Sequence, residues 1–302
     1  MKAVICKRWC DYRDLTITDA LPPPQLRPGH VRIAVKYATV GFGEALIVAG
    51  KYQRKPPLPF VPGNDVAGIV TEVAEDVLDF AAGDRVVATL DWGAYAEEAV
   101  APTITTWHVP DAVELAEAVG LPLGYGTSYA ALHWRGRIKA GETLVVFGAA
   151  GGVGSTAVQI GHLANARVIA VAGTEERVQA AIKKGADFGI VHGIEDLGGR
   201  IKALNGGRGV DIIYDPVGGP LFDQALRCVA PEGRILVIGF ASGKVPSIPA
   251  NILLVKNAEV VGFDFGYCIG WGLTDARLAY AGRVKEMMST LFAHVAAGEI
   301  KP

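Results

Sequence analysis

The residues best placed to do chemistry in this sequence are glycines that follow an apolar strand. Residues 143–166 hold no Asp, Glu, Lys or Arg, and Gly148, Gly151, Gly152 and Gly154 crowd their centre. The length tempts a membrane-span reading, but those glycines, and Gln159, His162 and Asn165 beyond them, argue against it. The spacing Ala149-x-Gly151-x-x-Gly154 suits a phosphate cradle instead. Absent side chains let the backbone approach a pyrophosphate, and the N–H groups of the following helix face the anion with partial positive charge. Glycines also mark plain turns, so context decides. An apolar run, Thr143–Phe147, precedes the cradle, and a second strand, Arg167–Val171, follows the helix at βαβ spacing. The candidate cofactor contacts here are Ala149, Gly151, Gly152, Val153 and Gly154.

A dinucleotide site tuned to NAD usually ends its second strand on Asp or Glu, bonded to the ribose 2′-hydroxyl. This strand ends Val171-Ala172-Gly173-Thr174, with no acid at the tip. Gly173 leaves room, Thr174 offers a hydroxyl, and Arg177 opens the next helix, an arrangement suited to a 2′-phosphate. Two readings stay open: Arg177 as a solvated helix start, and Glu175 or Glu176 reaching the ribose. The missing acid favours NADPH. For metals the sequence offers little. Cys6, Cys10, Cys228 and Cys268 are scattered, and no Cys or His cluster completes the Cys6-x-x-x-Cys10 pair, so reduced thiols are expected.

The elements that hold these residues are ordinary for a globular α/β protein. The chain has 302 residues, half of them hydrophobic and 20% charged, with a formal charge of −2 and pI near 6.3. That length predicts two domains. The charge gives no reason to expect nucleic acid or an anionic membrane as partner. The polar start of the sequence lacks a secretory segment and predicts a cytoplasmic protein.

The first ~120 residues are β-rich, with strands predicted at Lys2–Lys7, Val31–Val40, Asp65–Val73 and Arg85–Leu90, broken by Pro and Gly. From about Thr127 strands alternate with helices. Strands are predicted at 143–148, 167–172, 188–192, 210–215, 234–239 and 258–264, and helices at 153–164, 175–184, 195–204 and 219–229. That alternation is the doubly wound pattern. A long amphipathic helix is predicted from Thr274 to Ala297.

Several phrases together resemble one family. They are Gly50-Lys-Tyr52, Pro59-Phe-Val-Pro-Gly63 with Asp65-Val-Ala-Gly68, Ala82-Gly-Asp-Arg-Val86, Trp92-Gly-Ala-Tyr-Ala-Glu97 and Gly126-Thr-Ser-Tyr129. After the cradle and Gln159 come Asp211-Ile-Ile-Tyr-Asp-Pro-Val-Gly-Gly219, Gly233-Arg-Ile-Leu-Val-Ile-Gly239 and Leu253-Leu-Val-Lys-Asn257. The chain resembles the zinc-free quinone oxidoreductases (zeta-crystallin-like) of the medium-chain dehydrogenase/reductase superfamily, through nearly its whole length. The resemblance implies a GroES-like, partly open β-barrel catalytic domain at 1–122 and a Rossmann doubly wound parallel sheet at 123–266 that binds NADPH. It implies a helix at 267–302 returning towards the catalytic domain, and an active site in the cleft between domains. Relatives continue past Ile300-Lys-Pro302 with a helix and a strand, so the sequence reads as cut short there.

The resemblance also assigns roles. Tyr52 matches a family tyrosine lining the substrate cleft, whose hydroxyl can donate to a substrate oxygen; a partly exposed loop aromatic is the alternative. Thr127 matches a threonine near the nicotinamide, against a buried helix-start hydroxyl. Val217, Gly218, Gly239, Phe240 and Ala241 fall at strand ends where the family packs backbone against the nicotinamide, in keeping with ligand sites beyond the carboxyl ends of parallel strands. Arg177 sits where relatives carry a cation for the 2′-phosphate, and His192 where many have a tyrosine, though it reads equally as a surface histidine. Gly41 replaces a family asparagine, which predicts a more open, less polar cleft.

Zinc-dependent relatives place Cys and His ligands where this chain has Gly41-Phe-Gly-Glu44 and Gly63-Asn-Asp65, so no zinc is expected. The expected chemistry is hydride transfer from NADPH to a quinone or an α,β-unsaturated carbonyl (enone). Enoyl thioester reduction is an alternative, although no basic patch for a CoA arm is evident; a non-catalytic NADPH-binding protein of crystallin or sensor type is another. A homodimer pairing through strand 259–265 is implied by the resemblance and would relieve an exposed edge.

Overall fold

The computed structural model describes residues 1–193 and 196–302. The chain divides into two compact units, one formed by Met1–Gly126 with Gly266–Pro302 and the other by Thr127–Phe265.

The first unit begins with β1 (Ala3–Ile5) and β2 (Thr16–Thr18), which pair antiparallel. Then come β3 (His30–Ala38), α1 (Phe42–Val48), β4 (Asp65–Val73), β5 (Arg85–Thr89), β6 (Glu98–Pro102) and β7 (Thr106–His108). Strands β6-β3-β4-β5-β7 form a curled antiparallel sheet, the half-barrel of a GroES-like domain. Its alternating residues, among them Val31, Ile33, Val66, Val70, Val86, Ala88 and Ala99, are buried in one core. Each fully buried Val or Ile side chain among them contributes about 1.5–3 kcal/mol. Gly68 is required in β4, because a side chain there would run into the Ala34 carbonyl of β3. Helix α2 (Leu115–Ala118) leads into a helical stretch in which α3 (Gly126–Tyr129) is flanked by wider turns at Leu121–Tyr125 and Ala130–Arg135.

The second unit carries β8 (Thr143–Phe147), α4 (Gly152–Leu163), β9 (Arg167–Ala172), α5 (Glu175–Lys183), β10 (Phe188–Val191), α6 (Leu197–Leu204), β11 (Val210–Asp215), α7 (Pro220–Cys228), β12 (Val229–Val237), α8 (Ala250–Lys256) and β13 (Glu259–Gly262). Its sheet is parallel, in the order β10-β9-β8-β11-β12-β13. Chain direction across the sheet reverses between β8 and β11, the topological switch point of a Rossmann sheet. Both faces are covered. Gly161 of α4 lies against Leu144 and Val168, and Val178 of α5 against Gly189. Val145, Phe147, Ile169 and Val171, on the opposite face, pack with Leu197 and Ile201 of α6 and Phe222 of α7. The first unit is completed by α9 (Phe265–Cys268) and α10 (Arg277–Ala296), whose buried stripe is Val284, Met287, Met288, Leu291, Phe292 and Val295.

Several predicted boundaries move. Strand β12 starts at Val229 rather than 234: Pro231-Glu-Gly233 reads as a turn, but the backbone absorbs it as a register shift against β11 with Glu232 at φ 62°. The predicted edge strand 259–265 ends at Gly262, and Phe265 begins α9. The long helix spans 277–296. The predicted helix at 195–204 starts on a residue outside the described ones; α6 covers 197–204. Strands β2, β6 and β7 and helices α1 and α8 went unpredicted, being short or capped by no Ser, Thr, Asp or Asn side chain.

Candidate functional site

The cradle sits directly after β8, at the switch point. Gly148 turns the chain at φ 60°, and its carbonyl accepts the Gly151 N–H at 2.8 Å. A Cβ at residue 154 would collide with that carbonyl and with Ala149, so only glycine lets α4 come this close. Gly152 differs, because a Cβ there would meet nothing within 4 Å. Gly151 is the N-cap of α4 and supplies no side chain, and the first turn carries no acid, so its N–H groups are left for an anion. Ala149 is tied to β9 by its N–H on the Val171 carbonyl at 3.1 Å. An open approach, a glycine-only contact and an uncapped helix start fit a pyrophosphate.

At the tip of β9, Gly173, Thr174 and Arg177 are exposed. Thr174 is the N-cap of α5, and its oxygen accepts the Arg177 N–H at 3.3 Å. Only its hydroxyl hydrogen is left to donate outward. Glu175 is engaged by Gln179, whose amide donates to it at 2.8 Å. His192, just past β10, donates its backbone N–H to the Ala172 carbonyl at 3.0 Å. Its ring borders Gly173, with Nε2 3.5 Å from where a Cβ of that glycine would stand.

The loops after β11 and β12 are zipped together. Ala241 and Ser242 donate to the carbonyls of Pro216 and Val217 at 3.1 and 3.0 Å, and Gly219 donates to Lys244 at 3.2 Å. Asp215, buried at the end of β11, accepts the N–H groups of Val217 and Gly218 at 2.8 and 2.9 Å. Burial raises its pKa above the ordinary carboxylate range, and those two donors oppose the rise. Gly218 (φ 69°) has no room for a side chain between the Lys244 carbonyl and the Phe240 ring, and Phe240 and Ala241 are exposed. Gly239 lies against the Pro216 carbonyl. Residues 149–154, 173–177, 192, 217–218 and 239–241 thus gather at the carboxyl ends of β8 to β12. Half-buried Thr127 adjoins them through Ser128, whose hydroxyl donates to the Val153 carbonyl of α4 at 2.9 Å.

Tyr52 belongs to the first unit, where it packs half-buried on Cys6, Ile47, Val48 and Phe60. Gly41 does not open space there: a Cβ would stand 2.7 Å from Oε2 of Glu44, so the buried Glu44 carboxylate fills the side that an asparagine would take. Glu44 accepts its own N–H and that of Gly41, while burial raises its pKa. Nearby Asp65 is buried, accepts from the hydroxyls of Thr89 at 2.7 Å and Thr39 at 3.4 Å, and is pushed up to about 8, by burial first and by the negative charge of Glu44. Burial, Glu44 and Asp65 also raise the Tyr95 hydroxyl, which donates to the Thr39 carbonyl at 2.9 Å. A second node is Asp91, which accepts from Arg54 at 3.2 Å, Arg277 at 2.9 Å and the Trp271 indole at 3.1 Å; Arg54 stacks over Trp271 at 4.3 Å. Sequence reasoning missed both nodes, because their hydrogen-bonded partners lie up to 186 residues apart with no shared motif. Among the described residues, no group of three or more His, Cys, Asp or Glu side chains could hold a metal ion, and no helix is long and apolar enough to cross a membrane.

Comparison with known proteins adds identity to this geometry. Residues 27–111 match the alcohol dehydrogenase GroES-like domain and residues 152–277 a domain described as zinc-binding dehydrogenase. The chain is 39% identical over 266 residues to quinone oxidoreductase-like protein 2 of Rattus norvegicus, covering 88% of this chain and 75% of that protein. It is 32% identical over 244 residues to quinone oxidoreductase of Homo sapiens, covering 80% and 73%. The crystal structure of Escherichia coli quinone oxidoreductase complexed with NADPH superposes with a TM-score of 0.90 at 28% identity, covering 100% of this chain and 90% of the other. A probable oxidoreductase of Mycobacterium abscessus gives 0.87 at 34%, covering 100% and 89%. The half-barrel, the switch-point cradle and these relatives agree, and the chain belongs to the zinc-free quinone oxidoreductase branch of the medium-chain dehydrogenase/reductase superfamily.

Proposed function

We propose that this protein is a zinc-independent, NADPH-dependent reductase that delivers hydride to quinones or α,β-unsaturated carbonyls. The observation that carries the reading is the cradle, where Gly154 admits no side chain and Gly152 opens onto free space above an uncapped helix start. Similar structures solved in complex with NADPH, those of Escherichia coli quinone oxidoreductase and of mycobacterial Rv1454c, support the same cofactor.

In this reading the α4 N–H groups of Gly152, Val153 and Gly154 bind the pyrophosphate, with Ala149 and Gly151 shaping the turn. Arg177 and the Thr174 hydroxyl bind the 2′-phosphate beside Gly173, with His192 bordering it, and the engagement of Glu175 by Gln179 weighs against a ribose contact from that acid. Thr127 and the zipped loops at Val217–Gly218 and Gly239–Ala241 orient the nicotinamide and exclude water from one side. When bound, the nicotinamide supplies a hydride. Tyr52 holds a proton at its hydroxyl oxygen and donates a hydrogen bond where negative charge develops on the substrate oxygen. Much of the remaining rate comes from holding donor and acceptor in register. The positions where zinc-dependent relatives carry ligands hold Gly41–Glu44 and Asn64, whose side chains form no Cys/His set. We place the protein in the cytoplasm, as a homodimer.

Stopped-flow NADPH oxidation with a quinone, an enal and an enoyl-CoA tests this. Turnover of the quinone or enal is expected. Tight NADPH binding without turnover of any of them would identify a binding protein, and turnover of the thioester alone a thioester reductase. Replacing Arg177 with Ala should weaken NADPH by about tenfold, the worth of a charged hydrogen bond, and leave NADH binding unchanged. Equal loss for both cofactors removes Arg177 from the phosphate site.

A further inference from the structure

Two thiols outside the site described above share a cluster with Tyr52. Cys6 is fully buried and exchanges backbone hydrogen bonds with Phe60 at 2.8 and 3.1 Å. Cys10 is half-buried, with its N–H on the Val48 carbonyl at 3.1 Å, and both thiols are free. The Cys6 S–H donates to the Arg8 carbonyl at 3.1 Å and lies beside the Cys10 thiol. Burial, together with that neighbouring sulfur, pushes Cys6 up to about 11 and keeps it a thiol. Cys10 lines a cavity of about 110 Å³ with Ile5, Lys7, Arg8, Asp14 and Thr16. The two cations outnumber the one carboxylate. Positive charge beside a reacting sulfur favours the transfer of negative charge to a leaving hydroxide.

The residue between the thiols carries the connection onward. Trp9 packs on Phe60, ring centroids 6.0 Å apart, and so closely on Gly50 that a Cβ there would come within 3.0 Å of the indole. Gly50 lies two residues before Tyr52. Cys6, Cys10 and Tyr52 all pack in the cluster built on Ile47, Val48 and Phe60.

We propose that Cys10 is an oxidation site for hydrogen peroxide and that Cys6 is the thiol with which it then forms a disulfide, repacking the support under Tyr52. Cys10 sulfur attacks one peroxide oxygen and the O–O bond breaks, giving a sulfenic acid and one water once the departing hydroxide takes the thiol proton. Cys6 sulfur then attacks the sulfenic sulfur, the S–O bond breaks, and the second water leaves with the Cys6 proton. Two thiols lose two electrons and two hydrogens, and one peroxide becomes two waters. The new ring contains Lys7, Arg8 and Trp9, so the indole shifts against Gly50 and Phe60. The consequence for substrate rests on the function proposed above; the thiol chemistry does not.

Intact mass spectrometry after treatment with hydrogen peroxide should show loss of two hydrogen masses, reversed by dithiothreitol and mapped to a peptide joining residues 6 and 10. In the Cys6→Ser variant the Cys10 sulfenic acid should persist and be trapped by dimedone; in Cys10→Ser neither product should form. The oxidised wild type should show an altered KM for quinone, by about threefold or more, with NADPH affinity unchanged. Oxidation confined to methionines, or to Cys228 and Cys268, overturns the assignment on the wild type alone. A disulfide between 6 and 10 that leaves KM unchanged overturns the link to Tyr52. Should no quinone turn over at all, the mass readout still decides the thiol pair.

Discussion

Asp65 titrates where few aspartates do. In the unfolded chain it loses its proton through about pH 4, whereas in the fold it does so through about pH 8. The folded state therefore binds more protons across that window, and this group's contribution to stability falls as pH rises through it, levelling off above. Glu44, the acid facing it, shifts in the same direction, and Tyr95 is the third titratable group of the node. The Asp65→Asn variant keeps an acceptor for Thr89 and removes the titration. Its Tm should fall less than that of the wild type between about pH 5.5 and pH 8, by about 3 °C or more, as read by differential scanning fluorimetry. Parallel curves would mean that Asp65 ionises normally. Nothing in the sequence marked its carboxyl as one that titrates high, because a strand-start aspartate is ordinary until Thr89, Thr39 and the Glu44 carboxyl are seen beside it in a buried site. Arg177 is the opposite case: its position relative to Gly173 was readable from the order of strand tip and helix start.

Among the elements, the cradle was legible because its chemistry is local. A strand, a turn with glycines and a helix N-terminus follow each other within a few residues, and no distant partner is needed to specify them. Two of its glycines should nevertheless answer differently to the same change. Gly154→Ala forces a methyl into the Gly148 carbonyl, and overpacking of this kind costs about 1–3 kcal/mol. Gly152→Ala meets nothing within 4 Å and gains helix propensity, up to about 1 kcal/mol, so Tm should hold or rise while NADPH binds more weakly. Thermal melts with and without NADPH separate the two. Equal Tm losses would show that the turn tolerates neither. Less legible was β12, where Pro231-Glu-Gly233 carries turn residues yet sits inside a strand. Packing of Val229 and Gly233 against β11 overrides the local signal. The Asp91 node was unreadable for a related reason, since Arg54, Trp271 and Arg277 meet it only through tertiary structure.

At the scale of the whole molecule, β13 is an outer strand of the parallel sheet. Just before it, α8 leaves Leu254 and Val255 more than three-quarters exposed. An open strand edge beside apolar side chains invites pairing with a second copy. Sedimentation velocity at micromolar concentration should show a dimer, and a Leu254→Glu/Val255→Glu double variant should shift it to monomer. A monomeric wild type would count against this edge.

The first unit is assembled from the two ends of the chain, with residues 127–265 between them. On the ribosome that order becomes a delay. Asp91 emerges 186 residues ahead of Arg277, which at ordinary translation rates is roughly ten to forty seconds. Until Trp271 follows, Arg54 is the one member of the node that can answer the carboxylate, and the residues that pack on the buried stripe of α10 have no helix to cover them. The second unit, contiguous in sequence, can close meanwhile. A chain halted between residues 265 and 277 would therefore hold every residue of the second unit while still lacking the carboxyl-terminal part of the first.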